Sequence, residues 1–242
     1  MPEQISLRED RHVHSRFSDG EGTLAQNIAA AEALGLHELT CVDHVRVSTN
    51  WVPAYVEAVR AARASTTVRL GCGIEAKLLD TDGALDLPPQ IEGVDAIYAA
   101  DHQVPLADGP HHPRQIRAEI ESGERDPVAV IEAIVTSTGA AVRRYPRVVI
   151  AHLFSVLPKI GLSERDVAPE LVAQLAAACS EGGACVEISE RWRCPAAETL
   201  RPFLEHGVTV LVSTDSHRSE TIGRYEYCAE IVAELDTVVR AQ

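Results

Sequence analysis

The chain has 242 residues, of which 45% are hydrophobic and 24% charged, a globular composition that excludes a disordered or fibrous chain. It has no run of about 18 apolar residues, which argues against a membrane-spanning helix. With 36 acids against 22 bases its formal charge is −14, which argues against a broad nucleic-acid face of clustered Lys and Arg.

Short apolar runs alternate with longer amphipathic stretches. In chain order, the pattern predicts a strand over Arg11–Val13, then a helix over Thr23–Leu34, capped by Thr23 and stopped by Gly35. A strand over Leu39–Val42 and a helix over Val52–Ala64 follow, then strands over Arg69–Ile74 and Ala96–Ala100. The stretch Gln103–Asp126, with Pro105, Pro110 and Pro113, reads as a long loop of the kind that carries function. Pro127 opens a helix predicted over Pro127–Ser137. Strands over Val148–Ala151, Ala184–Ile188 and Val208–Ser213 then alternate with helices over Arg165–Glu181, Ala196–His206 and Thr221–Leu235. The strands are β-branched and mostly lack polar alternation, as parallel strands covered on both faces do. Their repeated alternation with helices predicts an α/β fold, a closed parallel barrel in a single domain over residues 1–242. Cys41, Cys72, Cys179, Cys185, Cys194 and Cys228 never form CxxC, and Met1-Pro2-Glu3-Gln4 has neither the basic nor the apolar region of a secretory leader. Both observations favour reduced thiols in a cytoplasmic protein.

Six of the ten histidines, with three acids, share one relation to the predicted strands: they lie at or just past a C-terminal end. His12, His14 and Asp19 follow the first strand, His44 the second, Glu75 the third, His102 the fourth and His152 the fifth; Asp215 and His217 follow the last. In a β/α barrel these ends converge on one mouth, where active sites are built. Imidazole and carboxylate are ligands for divalent Zn, Mn or Fe. Any one of these histidines alone reads as surface or satisfied core; the distribution is what points to a metal site. His37 and His206 read as structural, the latter suiting a helix C-terminus, and His111 and His112 as solvated loop residues or substrate contacts.

Asp10-x-His12-x-His14-Ser15, Ser18-Asp19-Gly20, Asp43-His44, Gly73-x-Glu75, His102, Ala151-His152 and Asp215-Ser216-His217 resemble, in order, the motifs of the polymerase and histidinol phosphatase (PHP) superfamily, over nearly the whole chain. The resemblance implies a distorted (βα)7 TIM-like barrel holding two or three divalent ions. One ion would take His12, His14, Glu75 and Asp215; a second would share Glu75 and add His102 and His152; a third would take Asp19, His44 and His217. Histidinol phosphatases of the family often carry His where Asp19 stands, so that substrate is not implied.

The chemistry expected is hydrolysis of a small phosphomonoester by a metal-activated hydroxide. Three carboxylates against three M²⁺ leave about +3 in the pocket, which attracts phosphate into an acidic protein. Asp215 or His217 would protonate the leaving alkoxide. Arg191 and Arg218 are the first candidates to grip phosphate, with Lys159 and Arg114 behind them. Glu187, Asp10 and Asp43 read as groups that orient ligand histidines. The alternatives are a phosphodiesterase or cyclic-phosphate hydrolase, a metal-dependent hydrolase or lyase acting on another bond, or a metal-binding protein without turnover. The partner expected is a small phosphorylated molecule, with no membrane; the sequence leaves oligomeric state open.

Overall fold

The computed structural model of the chain describes residues 5–239. In chain order its elements are β1 (Glu9–Val13), α1 (Leu24–Leu34), β2 (Glu38–His44), α2 (Val52–Arg63), β3 (Arg69–Lys77), β4 (Ala96–Ala100), β5 (Val104–Leu106), β6 (Gly109–His111), α3 (Pro113–Glu121), α4 (Pro127–Arg144), β7 (Val148–Ala151), α5 (Pro169–Gly182), β8 (Cys185–Ser189), α6 (Ala197–Glu205), β9 (Thr209–Ser213) and α7 (Tyr227–Val239). Seven strands pair in parallel in the order β1-β2-β3-β4-β7-β8-β9. The sheet curls until its two edges meet at a bridge between Val13 and Ser216, with the His14 amide donating to the Ser216 carbonyl at 2.8 Å. The result is a nearly closed, TIM-like barrel of seven strands, as expected.

The core has two layers. A large apolar cluster lies between sheet and helices, and a small one (Val42, Tyr98, Ala100, Val149, Ala151, Leu211) fills the barrel. Tyr98 is the bulky member. Gly73 makes room for it, since a Cβ there would stand 2.8 Å from the Tyr98 ring. The tyrosine hydroxyl donates to the Arg11 carbonyl, and its ring lies 4.9 Å from that of His12, so Tyr98 packs directly against His12.

Four predicted elements differ most. Gln103–Asp126 is not a loop: it folds as the antiparallel hairpin β5-β6 and then as α3. Pro113 is no breaker but the first residue of α3, where its missing N–H costs nothing, and the His112 ring accepts from the Arg114 amide at 3.2 Å. Helix α4 runs on past Ser137 to Arg144, with the hydroxyls at its middle satisfied. Thr138 Oγ1 donates to the Ile134 carbonyl at 2.8 Å and Ser137 Oγ to the Asp80 carbonyl at 2.5 Å. Helices α5 and α7 start later than predicted. Pro169 forces Ala168 out of the helical region, and Gly223, at φ +64°, separates a short turn at Ser219–Thr221 from α7.

Candidate metal centre

The strand C-termini deliver all nine candidate ligands to one end of the barrel. Glu75, at 1% exposure, is the hub. Its Oε2 lies 2.7 Å from His44 Nδ1 and 3.6 Å from both His12 Nε2 and His14 Nε2. Its Oε1 lies 3.0 Å from His152 Nε2 and 3.2 Å from His102 Nε2. On the other side His14 Nε2 is 3.0 Å from Asp215 Oδ1. At the rim Asp19, 54% exposed, has its Oδ2 3.3 Å from His217 Nε2 and 3.6 Å from His44 Nε2. The strained backbone is also here: His152 and Asp215 have φ of +30° and +50°, conformations that side chains disfavour and that aim these residues into the mouth.

Several of these atoms touch without bonding. His12 Nε2, both ring nitrogens of His14, Glu75 Oε2 and Asp215 Oδ1 are buried and lack a hydrogen-bond partner. Buried polar atoms left so are rare, because each forfeits its hydration. Here they face one another, and nitrogen and oxygen donors gathered around a common space suit a divalent cation. Three groups have donor atoms close enough to share an ion: His12, His14 and Asp215; His44, Glu75 and His102; and His14, Asp19, His44 and His217. The residues present therefore fit a metal centre.

The acids and His14 are held in the ligating form. Burial would keep Glu75 protonated, but His102 and His12 outweigh it and hold the carboxyl well below its usual range. Burial likewise opposes ionisation of Asp215, and the His14 contact overcomes it. The hydrogen bond from His217 lowers Asp19. Burial brings the His14 pKa down to about 4, leaving its ring neutral.

An outer layer fixes the ligands. Glu187, fully buried, has Oε2 3.0 Å from His12 Nδ1 and accepts the His152 amide at 2.8 Å through Oε1, the orienting part expected of it. Asp10 and Asp43 differ from expectation: neither touches an imidazole. Asp10 accepts from the Thr214 amide and hydroxyl at 2.9 and 2.5 Å and from the Gly223 amide at 2.9 Å. Asp43 accepts from Ser15 and Ser18, through amide and hydroxyl of each, at 2.6–3.1 Å. Both pin the loops that carry the ligands, because backbone donors at the strand ends have no sheet partner and outcompete a ring.

Three residues have roles missed in the sequence. Asp101 lies with Oδ1 3.4 Å from His152 Nδ1, and Ser155 Oγ bridges them, donating to Asp101 at 2.6 Å and lying 2.9 Å from the ring nitrogen. Trp192 Nε1 donates to Asp215 Oδ2 at 2.6 Å, which leaves Oδ1 to face His14. Asp101, beside His102 at a strand end, was the one legible clue.

The four cations predicted to meet phosphate lie in different settings. Arg191 Nη1 is 2.6 Å from His217 Nδ1 and reaches the Asp215 carbonyl at 3.4 Å. Lys159 rests its ammonium 4.0 Å over the Trp192 ring. Burial lowers its pKa, against the pull of Asp101, Asp215 and Glu75 nearby, and it makes no ion pair among the described residues. Arg218, 64% exposed, turns to Glu21 at 3.7 Å, and Arg114 is exposed on α3. His111 pairs with Asp108 at 3.0 Å, and His206 contacts the Pro202 carbonyl at 2.8 Å at the end of α6.

Comparison with known proteins agrees with this geometry. The PHP domain profile matches residues 10–191. Histidinol phosphate phosphatase from Lactococcus lactis, solved with Zn, L-histidinol and phosphate, superposes with TM-score 0.66 at 15% identity, covering 96% of this chain and 92% of that one. At that identity the likeness is one of fold. N-isopropylammelide isopropylaminohydrolase from Burkholderia multivorans (TM-score 0.47, 16% identity, 88% of this chain and 56% of that one) and a chain of archaeal ribonuclease P with mature tRNA (TM-score 0.47, 12% identity, 96% and 93%) are too distant to bear on function. No curated protein matches significantly.

Proposed function

The chain belongs to the PHP-domain family, which makes it a metal-dependent phosphoesterase, and on that premise we propose that it hydrolyses a small phosphomonoester at a centre of two or three divalent ions, Zn, Mn or Fe. The observation that carries this reading is the set of buried, unpartnered donor atoms on His12, His14, Glu75 and Asp215. These four residues would hold one ion; Glu75, with His102 and His152, would serve a second; and Asp19, His44 and His217 would hold a third. When bound, the ions make water nucleophilic at neutral pH and offset the charge that builds on phosphate oxygens.

The chain's own residues do the rest. Glu187 holds His12, and Asp101 with Ser155 holds His152, so that each ring is oriented with its Nε2 towards Glu75, where the proton would give way to an ion. Trp192 fixes which oxygen of Asp215 turns inward. Lys159 and Arg191 supply N–H donors to the phosphate, the lysine from a half-buried place where its charge is poorly screened. Asp215 is held ionised and is a poor acid; His217, at the rim beside Asp19, is the better placed group to protonate the leaving oxygen when only two ions are bound and its Nε2 is not a ligand. The family profile covers most of the chain, and we read residues 1–242 as one such unit.

The test is metal analysis and a hydrolysis screen on one preparation. Phosphate release from monoesters, lost with a chelator and restored by Mn²⁺ or Zn²⁺, is the expected result. Turnover of diesters with no release from any monoester would replace this reading with a phosphodiesterase.

A further inference from the structure

A cavity of about 500 Å³ opens beside the metal centre, large enough for a phosphate and a ring-sized organic part. Its lining joins the candidate ligands Asp19, His44 and His102 to Arg46 and Lys77, which follow His44 and Glu75 by two residues, and to Trp51. We infer that the side formed by Arg46 and Lys77 selects phosphomonoesters carrying a second anionic group, a carboxylate or phosphate, gripped by these two cations. The inference rests on the phosphomonoesterase reading and deepens it.

Arg46 is the first reason. Its guanidinium has no ion pair and no side-chain hydrogen bond among the described residues, although it stands in a turn tied down on every side. The Val45 amide donates to the Glu75 carbonyl at 2.8 Å and the Val47 amide to Asp86 Oδ1 at 2.7 Å. Between them the Arg46 amide donates to Thr49 Oγ1 at 2.9 Å, and the Thr49 amide to the Arg46 carbonyl at 2.8 Å. The backbone at Arg46 is fixed two residues past His44, and its exposed, unpaired side chain is free to close on a ligand held at the metals.

The charge balance is the second reason. Lys77, 33% exposed, lies 3.5 Å from Asp86 Oδ2, and Asp86 is thereby shared between an ammonium and the Val47 amide. Arg46 and Lys77 against Asp86 leave this side of the cavity positive, attractive to an anion and repulsive to an amine. Trp51 completes the wall. Its ring is wedged against Phe17 and Tyr55, with centroids 5.6 and 5.7 Å away, and is a rigid surface for a planar group.

The test uses three aryl phosphates of one shape: phenyl phosphate, 4-carboxyphenyl phosphate and 4-(aminomethyl)phenyl phosphate. With Mn²⁺-loaded protein, kcat/KM for the carboxylate should exceed that for the amine by about tenfold or more. In Arg46→Glu the ratio should fall at least about tenfold, and in Arg46→Gln by less. Replacing the carboxylate by a second phosphate distinguishes the two anions. The matching arylphosphonates, ranked by calorimetry, need no turnover. If the phosphonates rank as stated and no phosphate is released from any ester, the hydrolase reading fails and the selective cleft stands. Equal kcat/KM for all three esters, preference for the amine, or an unchanged ratio in both Arg46 variants overturns the inference.

Discussion

Glu187→Gln alters a single group on which the ligating state of His12 depends. The native carboxylate is 0% exposed. It takes the Nδ1 proton of His12 at 3.0 Å through Oε2 while Oε1 accepts the His152 amide at 2.8 Å. With an ion bound, that contact would leave the lone pair of His12 on Nε2, the atom facing Glu75. In the glutamine variant the His152 amide still requires an oxygen, so the carboxamide NH2 must turn to His12. Two donors cannot share that contact, and the ring moves its proton to Nε2, blocking the ligand atom. Loss of such an outer partner costs 10–100-fold in metal affinity; because the wrong tautomer is enforced here, the upper end is expected, ~100-fold or ~2.7 kcal/mol. The assay is the Mn²⁺ or Zn²⁺ dissociation constant by competition with a chromogenic chelator, with a circular-dichroism melt in EDTA to show that the variant is folded. A folded variant that binds within about threefold of the wild type would refute the reasoning.

Replacing His14 by Ala should remove an ion and nearly all turnover while the EDTA-treated protein melts close to the wild type; elemental analysis and the melt decide it. Trp192→Phe keeps a ring beneath Lys159 but deletes the N–H to Asp215. It should lower kcat/KM about tenfold, ~1.4 kcal/mol, and an unchanged value would dismiss the bond. Glu164 is not among the candidate ligands and accepts from Thr199 and Ala196 at 2.5 and 2.9 Å. Burial raises its pKa above the ordinary 4.5, so the fold favours the protonated form. That contribution is present below pH 4.5 and is lost as pH rises through the folded pKa. Glu164→Gln, which mimics the protonated acid, should therefore gain stability relative to the wild type from pH 4 to pH 7, read from urea midpoints; a constant difference would contradict the shift.

The barrel was legible because parallel buried strands leave an unmistakable apolar signature and because His and acids recur at their ends. Val148–Ala151 and Ala96–Ala100 match the structure to the residue. What proline meant at Pro113 was not legible, since the same residue ends one element and begins another depending on what precedes it. Nor was the continuation of α4, which rests on Ser137 finding a carbonyl 57 positions away. The nine residues that meet at the mouth were read from sequence, but their division among supporting groups was not. Asp10 and Asp43 sit next to ligands along the chain yet serve amides and hydroxyls across space, whereas Ser155 and Trp192, unremarkable in sequence, act on His152 and Asp215. Proximity along a strand says which residues share an end of the barrel; only the packing says which atom faces which.

The seam where β1 meets the end of β9 has a consequence for how the chain acquires its activity. One bridge, the His14 amide bond and the Asp10 bonds to Thr214, 204 positions apart, fasten it. His12 and His14 lie on one side and Asp215 on the other, so an ion held by these three would work as a reversible rivet between the first and last strands of the barrel. Both strands must be made and docked before that rivet can close. Stripping the metal should loosen amide exchange first along this join and last in β2 and β3, whose seven-residue register runs unbroken.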